Sequence, residues 1–208
     1  MNSAGTASEG PVYPRTFEEA QALPDEKLKE MLVAHLNHYA VLRGDFVLKS
    51  GRKSGWFIDA KKTACDPAGQ ILVAALMLRT IPADVDGIGG LTMGADPVAF
   101  TTAAMASASG RPLYSFSVRK ETKDHGAGGR IAGIVREGTR VVITEDAVTR
   151  GASIMEAVNV AREAGAEVVM VTAMVDRGGT VAKIVGEHGI PFVALVTAED
   201  LGFAYEGA

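Results

Sequence analysis

One stretch constrains this chain more than any other: Val141 to Ser153, VVITEDAVTRGAS. Four residues that favour strand, Val141, Val142, Ile143 and Thr144, run directly into two acids, Glu145 and Asp146. A short turn carrying Thr149, Arg150 and Gly151 follows. From Ser153 onward, Ile154, Ala157, Val158, Ala161 and Ala164 recur at helical spacing. The predicted unit is a strand, an acid pair, a small-residue turn and a helix start. Such a junction suits a phosphorylated sugar, because the unpaired N–H groups of a helix N-terminus point at any anion placed there. Gly151 lets the backbone approach that anion closely. Glu145 and Asp146 are acceptor-only groups that suit sugar hydroxyls, directly or through a hard cation. The same residues also fit an ordinary strand–loop–helix unit with solvated acids, and the stretch by itself leaves both readings open.

The rest of the chain narrows the setting. Its 208 residues are one domain's worth with room for a small subdomain, enough to bury a real core. A net charge of −4 with no long basic run argues against a dedicated nucleic-acid binder. The single cysteine, Cys65, excludes an intrachain disulfide and a cysteine-rich zinc site, and fits a reducing, cytoplasmic setting. No apolar run approaches the roughly 20 residues of a membrane span, and the N-terminus lacks the pattern of a signal peptide. The 24 glycines exceed ordinary usage and cluster after strands, where phosphate sites are built.

Taken in order, residues 1–15 read as a disordered tail, residues 16–66 as an N-terminal helix and a hairpin, and residues 67–208 as an α/β core. Pro24-Asp25-Glu26 opens a helix with Leu28, Met31, Leu32, Leu36 and Tyr39 as its apolar stripe and Gly44 at its C′ position. His35 and His38 read as structural or surface residues, since no carboxylate or cysteine completes a ligand set. Phe46-Val47-Leu48 and Trp56-Phe57-Ile58 are short strands, joined through Ser50 to Gly55 as a hairpin. A helix is predicted over Pro67 to Thr80, a strand over Val85 to Gly90, a helix over Pro97 to Ser109 and a strand over Leu113 to Val118. Arg119 to Gly133 is polar and glycine-rich without apolar period, a mobile loop rather than an element. Its Arg119, Lys120, Lys123, His125 and Arg130 suit a lid over a polyanion. Val168 to Val175 is a further strand ending at Arg177; a helix from Thr180 to His188 and a strand from Phe192 to Thr197 close the core. Strand–helix–strand order after Val85 implies an open, mainly parallel sheet with helices on both faces and its ligand at the carboxyl ends of the strands.

The Val141–Ser153 stretch resembles the PRPP-binding signature of the type I phosphoribosyltransferases. Two further strings narrow the resemblance to the orotate phosphoribosyltransferases: Phe-x-Leu-Lys-Ser-Gly-Arg-Lys-Ser from Phe46, and Arg-Lys-Glu-x-Lys-Asp-His-Gly from Arg119. The resemblance spans roughly Phe46 to Asp200. It implies the type I phosphoribosyltransferase fold with a small N-terminal hood over the base. It implies transfer of the 5-phosphoribosyl group from PRPP to orotate, giving orotidine 5′-monophosphate and pyrophosphate, in de novo pyrimidine biosynthesis.

By the same resemblance Lys120, Lys123 and His125 are catalytic and, with Arg119, face the diphosphate. The PRPP site comprises Glu145, Asp146, Ala147, Val148, Thr149, Arg150, Gly151, Ala152 and Ser153. Orotate meets Lys49, Trp56, Phe57, Thr149 and Arg177, the last pairing with its carboxylate. Mg²⁺ is the implied cofactor, held mainly by PRPP, with Glu145 and Asp146 as candidate protein contacts. A homodimer that shares the lid between subunits is implied, with no nucleic-acid or membrane partner. Three positions depart from the family pattern: Gly94 stands where many members carry a lysine in the pyrophosphate loop, Glu145 replaces the usual Asp, and Ala152 replaces a hydroxyl residue. A purine or uracil phosphoribosyltransferase, or a PRPP sensor that binds nucleic acid, are the alternatives.

Overall fold

The computed structural model describes residues 12–47, 51, 53–122 and 129–206. Thr16 caps the short helix α1 (Phe17–Gln21), its side chain accepting the N–H of Glu19. Helix α2 (Asp25–His35) follows Pro24 and continues through a π-helical turn, Leu36–Ala40. Leu28, Leu32 and Leu36 are fully buried along one stripe, whereas Tyr39 at its end is exposed. The helical path ends at Ala40 rather than at Gly44. Val41 already belongs to strand β1 (Val41–Val47), which pairs antiparallel with β2 (Lys53–Ile58). Gly44 takes a φ of 150° where the register of that hairpin shifts, so it serves a bulge and not a helix cap. Cross-strand pairing overrode the capping signal.

A short helix α3 (Lys61–Ala64) and helix α4 (Pro67–Thr80) come next, the latter capped by Asp66, whose carboxylate accepts the N–H groups of Ala68 and Gly69. Strand β3 (Gly87–Leu91) leads into α5 (Ala95–Ala108), which starts two residues before the predicted Pro97. Strands β4 (Tyr114–Val118) and β5 (Ile131–Gly133), then β6 (Arg140–Ile143) and the two-residue β7 (Ala147–Val148), precede α6 (Ala152–Glu163). Strand β8 (Glu167–Asp176), α7 (Val181–Gly186) and β9 (Phe192–Thr197) complete the order.

The main sheet has the order β5-β4-β3-β6-β8, with β7 pairing the last two residues of β8 and β9 pairing it from Val171 to Asp176. Only β5 runs antiparallel. It lies inside the segment predicted as loop, where Ile131 to Gly133 pair with Phe116 to Val118. The strands alternate between two cores, as a period of two requires. Val142, Met170 and Met174 face a cluster with α2, α4 and α5; Val141, Ile143, Val171 and Ala173 face one with α6 and α7. The fold is therefore an open, mainly parallel sheet covered on both faces. The N-terminal helix shares the first cluster with α4 and α5, so it packs into the same core as the sheet. Among the described residues no helix is long and apolar enough to cross a membrane.

Candidate active site

Strand β6 is buried on both faces and delivers Glu145 and Asp146 directly beyond its carboxyl end. Both acids are almost wholly buried. Asp146 holds its own turn by accepting the N–H of Ala147 at 2.8 Å. Lys61, at the start of α3, reaches across with Nζ 2.7 Å from Asp146 Oδ2. Burial works against the charged form of that lysine, but the Asp146 contact and the Glu145 and Asp59 charges outweigh it and raise its pKa. Burial and the adjacent Asp146 charge push the Glu145 carboxyl up to about 8.

Beyond the acid pair, β7 adds a brief parallel pairing with Val175 and Asp176. This pins the turn that carries Thr149 to Ser153. Arg177 N–H donates to the Val148 carbonyl at 2.8 Å, and the Thr180 hydroxyl donates to the Thr149 carbonyl at 2.8 Å. Gly151 precedes α6 with a φ of 72°, a left-handed conformation that a side chain would strain. The first N–H groups of α6 thus open onto the turn with no side-chain cap. A cleft of about 1110 Å³ lies here. It is bounded by Thr149 to Ile154, Glu145, Ala147 and Val148 on one side, by Leu42, Phe46, Val47, Phe57 and Ile58 of the hairpin on the other, and by Arg177.

The turn after β3 lies against the same acids. A Cβ added at Gly94 would stand 1.8 Å from Glu145 Oε1 and 2.8 Å from Asp146 Oδ1. Asp96, in the first turn of α5, braces this turn by accepting the Thr92 and Ser117 hydroxyls, each at 2.6 Å. The lysine expected at position 94 from the family pattern has no room there while Glu145 keeps its place.

Arg177 is buried, and its guanidinium lies 4.7 Å from the centre of the Trp56 ring and 5.8 Å from that of Phe57. One nitrogen donates to the Trp56 carbonyl at 2.8 Å and lies 2.5 Å from Glu206 Oε2. Burial lowers the Arg177 pKa against the opposing pull of Glu206. Phe57 lines the cleft. Trp56, on the opposite face of β2, is buried and stacks on Phe203 with ring centres 4.3 Å apart and planes 4° from parallel. Trp56, expected to meet orotate, is buried against the Arg177 guanidinium and is not among the residues that line the cleft.

The lid residues divide. Lys49, Lys123 and His125 lie outside the described residues. Arg119 turns its guanidinium to the carbonyls of Gly129 and Ile131, each at 3.4 Å, and so closes the stem of its own loop. Lys120 is exposed beside it. Arg130 donates to the Arg119 carbonyl at 2.8 Å and to Glu156 on α6. That link ties the stem to the helix whose N-terminus opens on the cleft.

Lys61, Phe203 and Glu206 reach the site from distant positions, and no local pattern marks them. His35 was read without a carboxylate partner, yet Asp66 supplies one: His35 Nε2 lies 2.9 Å from Asp66 Oδ1 and Nδ1 lies 3.1 Å from Thr63 Oγ1. Among the described residues no group of three or more His, Cys, Asp or Glu side chains could hold a metal.

Comparison with known proteins bears on this geometry. The orotate phosphoribosyltransferase of Bradyrhizobium diazoefficiens is 44% identical over 163 residues, covering 76% of this chain and 87% of that protein. That of Corynebacterium glutamicum strain R is 38% identical over 185 residues, covering 88% and 95%. The chain belongs to the orotate phosphoribosyltransferase family. Among solved structures, that of Mycobacterium tuberculosis H37Rv orotate phosphoribosyltransferase with Fe(III) dicitrate superposes with a TM-score of 0.75 at 34% identity, covering 86% of this chain and all of the other. The same enzyme in complex with PRPP gives 0.72 at 32% identity, with coverages of 86% and 100%. An adenine phosphoribosyltransferase from Leishmania donovani, 16% identical, shares the fold. No protein-family model matches the chain.

Proposed function

We propose that this chain carries out the family's reaction with its roles divided as the cleft divides them. The reaction is a pentosyl transfer: orotate and PRPP give orotidine 5′-monophosphate and pyrophosphate, a step of pyrimidine biosynthesis. The observation that carries the reading is the convergence, on one cleft, of a buried acid pair, a helix N-terminus behind Gly151 and the buried Arg177.

Backbone N–H groups from Thr149 to Ser153 take the 5′-phosphate, with the Thr149 and Ser153 hydroxyls beside them. The loss of a hydroxyl at Ala152 leaves these donors sufficient in kind. Glu145 and Asp146 hold the ribose hydroxyls. Arg177, a planar fork, meets the orotate carboxylate and selects an acidic pyrimidine over a neutral base. Phe57 and Lys49, from the hairpin that acts as a hood, close over the base. The transition state has oxocarbenium character, so the protein acts by positioning and by neutralising the departing diphosphate. Lys120, Lys123 and His125 bring charge, and the histidine a proton, to that group as the loop closes; Arg119 holds the loop's base. In a homodimer that loop serves the neighbouring subunit's cleft.

The oxygen donors of Glu145 and Asp146 fit Mg²⁺, but two carboxylates are too few for an all-protein cage, so the ion arrives mainly on PRPP oxygens. When bound it neutralises diphosphate charge. A cytoplasmic setting accords with the single cysteine and the absence of a membrane-spanning helix among the described residues.

The test is to mix the full chain with orotate, PRPP and Mg²⁺ and follow orotate loss spectrophotometrically, with uracil and adenine as controls. Consumption of orotate alone supports the reading, and consumption of either control instead overturns the assignment of Arg177. A mixed dimer of Lys123→Ala and Asp146→Asn subunits tests sharing: activity from a pair of individually inactive chains is expected if the loop crosses over.

A further inference from the structure

On the proposed reading, the acid pair and the PRPP diphosphate, both anionic, approach one another near the turn at Gly94, where a protein cation would add to the charge that Mg²⁺ neutralises. The family pattern supplies one from position 94, and here that position is closed: a Cβ there would meet Glu145 Oε1 at 1.8 Å. Among the described residues, Lys61 Nζ is the one side-chain cation within salt-bridge distance of either carboxylate, 2.7 Å from Asp146 Oδ2.

Lys61 comes to the acids from another part of the fold. It opens α3, the short helix after the hairpin. The rear of that helix is fixed. Thr63 and Ala64 are buried, Thr63 meets His35 at 3.1 Å, and Asp66 holds the other nitrogen of the same imidazole at 2.9 Å. The backbone of Lys61 is thus anchored to α2 and α4. Its side chain nevertheless stays 44% exposed, while Asp146 is only 9% exposed. An ammonium has three donors, and the Asp146 contact uses one. Donors thus remain to it beyond that contact, on a partly exposed stem flexible enough to follow an arriving anion.

We infer that Lys61 is a PRPP-binding residue in this chain: it neutralises Asp146 before substrate arrives and contacts the diphosphate once PRPP is bound, in place of a lysine at position 94. This rests on the proposed reading of the cleft as a PRPP site. Glu145 and Gly94 fit one another, since the acid's carboxylate fills the space that a side chain at 94 would need.

The experiment titrates the full-length wild type, Lys61→Met and Lys61→Arg with pyrophosphate in the presence of Mg²⁺ by calorimetry, and measures KM for PRPP and for orotate separately. Loss of one charge-assisted contact weakens magnesium pyrophosphate binding and raises the PRPP KM by about tenfold or more in Lys61→Met. The orotate KM and the melting temperature stay near wild type, and Lys61→Arg recovers most of the lost affinity. A purely structural lysine would shift the melting temperature and leave the PRPP and orotate KM values moving together. Lys61→Met binding pyrophosphate and PRPP as wild type does overturns the inference, and so does a wild type that binds neither. A wild type that binds both but ignores orotate refutes the base assignment while the Lys61 comparison still decides this one.

Discussion

Replacing Gly94 by alanine separates the geometry of the site from the stability of the fold. The added Cβ would lie 1.8 Å from Glu145 Oε1, whereas real contacts of this kind do not fall below 3.0 Å. The carboxylate must therefore retreat by about 1.2 Å, the difference between those two distances. Its end is the flexible part of the residue, so the backbone need not move. Glu145 is nearly buried, however, and must leave its preferred rotamer, at a cost of about 0.5–1.5 kcal/mol. For a chain of this length that lowers the melting temperature by about 1–6 °C. A misplacement of about 1 Å at a positioning group costs about a hundredfold in rate. The kinetic loss should thus exceed the stability loss by a wide margin. Steady-state turnover of PRPP and orotate, run beside differential scanning fluorimetry, reads both. Gly186→Ala is the control, because a Cβ there meets nothing within 4 Å. If Gly94→Ala turns over within about threefold of wild type, the carboxylate it displaces does not position the sugar.

Other outcomes follow from the same contacts. His35→Ala leaves Thr63 and Asp66 without the imidazole and opens a cavity in a fully buried place; the expected cost of about 2–4 kcal/mol appears as a melting temperature lower by about 5–15 °C. Asp66 is partly desolvated, but N–H donation from Gly69 and Ala68 and the His35 contact hold its pKa below the ordinary carboxylate value. Its contribution is therefore present above the unfolded-state pKa of about 3.9 and lost as pH falls through the folded value. Urea midpoints of wild type and Asp66→Asn should differ at neutral pH and converge in acid. Arg177→Lys keeps the charge but loses the fork, so the orotate KM should rise by about tenfold or more while PRPP affinity stays near wild type. Glu206 Oε2 engages the same guanidinium at 2.5 Å, and Glu206→Gln should lower the orotate KM severalfold by removing an internal competitor; an unchanged or higher KM means that Glu206 holds Arg177 in place for the base instead.

The two halves of the molecule meet through residues far apart in the chain. Arg177 carries this coupling: its N–H donates to Val148, its carbonyl accepts from Glu206, and its guanidinium packs on Trp56 of the hairpin. Phe203 stacks on the other side of that tryptophan. The sheet edge, the hairpin and the chain's last described residues are thus fastened at one buried cation.

Local sequence determined the elements and their order. Short runs of strand-favouring, mostly apolar residues placed β3, β4, β6 and β8, and the strand–acid–glycine–helix run from Val141 placed the turn that opens on the cleft, because strand propensity and turn chemistry act over neighbouring residues. The same locality explains the misses. Gly44 looks like a helix cap until β2 pairs with β1, and Ile131 to Gly133 look like loop until β4 lies beside them. Tertiary structure alone decided that Asp146 faces Lys61, 85 positions earlier, that Gly94 abuts Glu145, and that Arg177 is paired with Glu206. Burial makes each of those charges depend on its partner, and which partner arrives is settled by how the helices pack on the two faces of the sheet, which no window of neighbouring residues encodes.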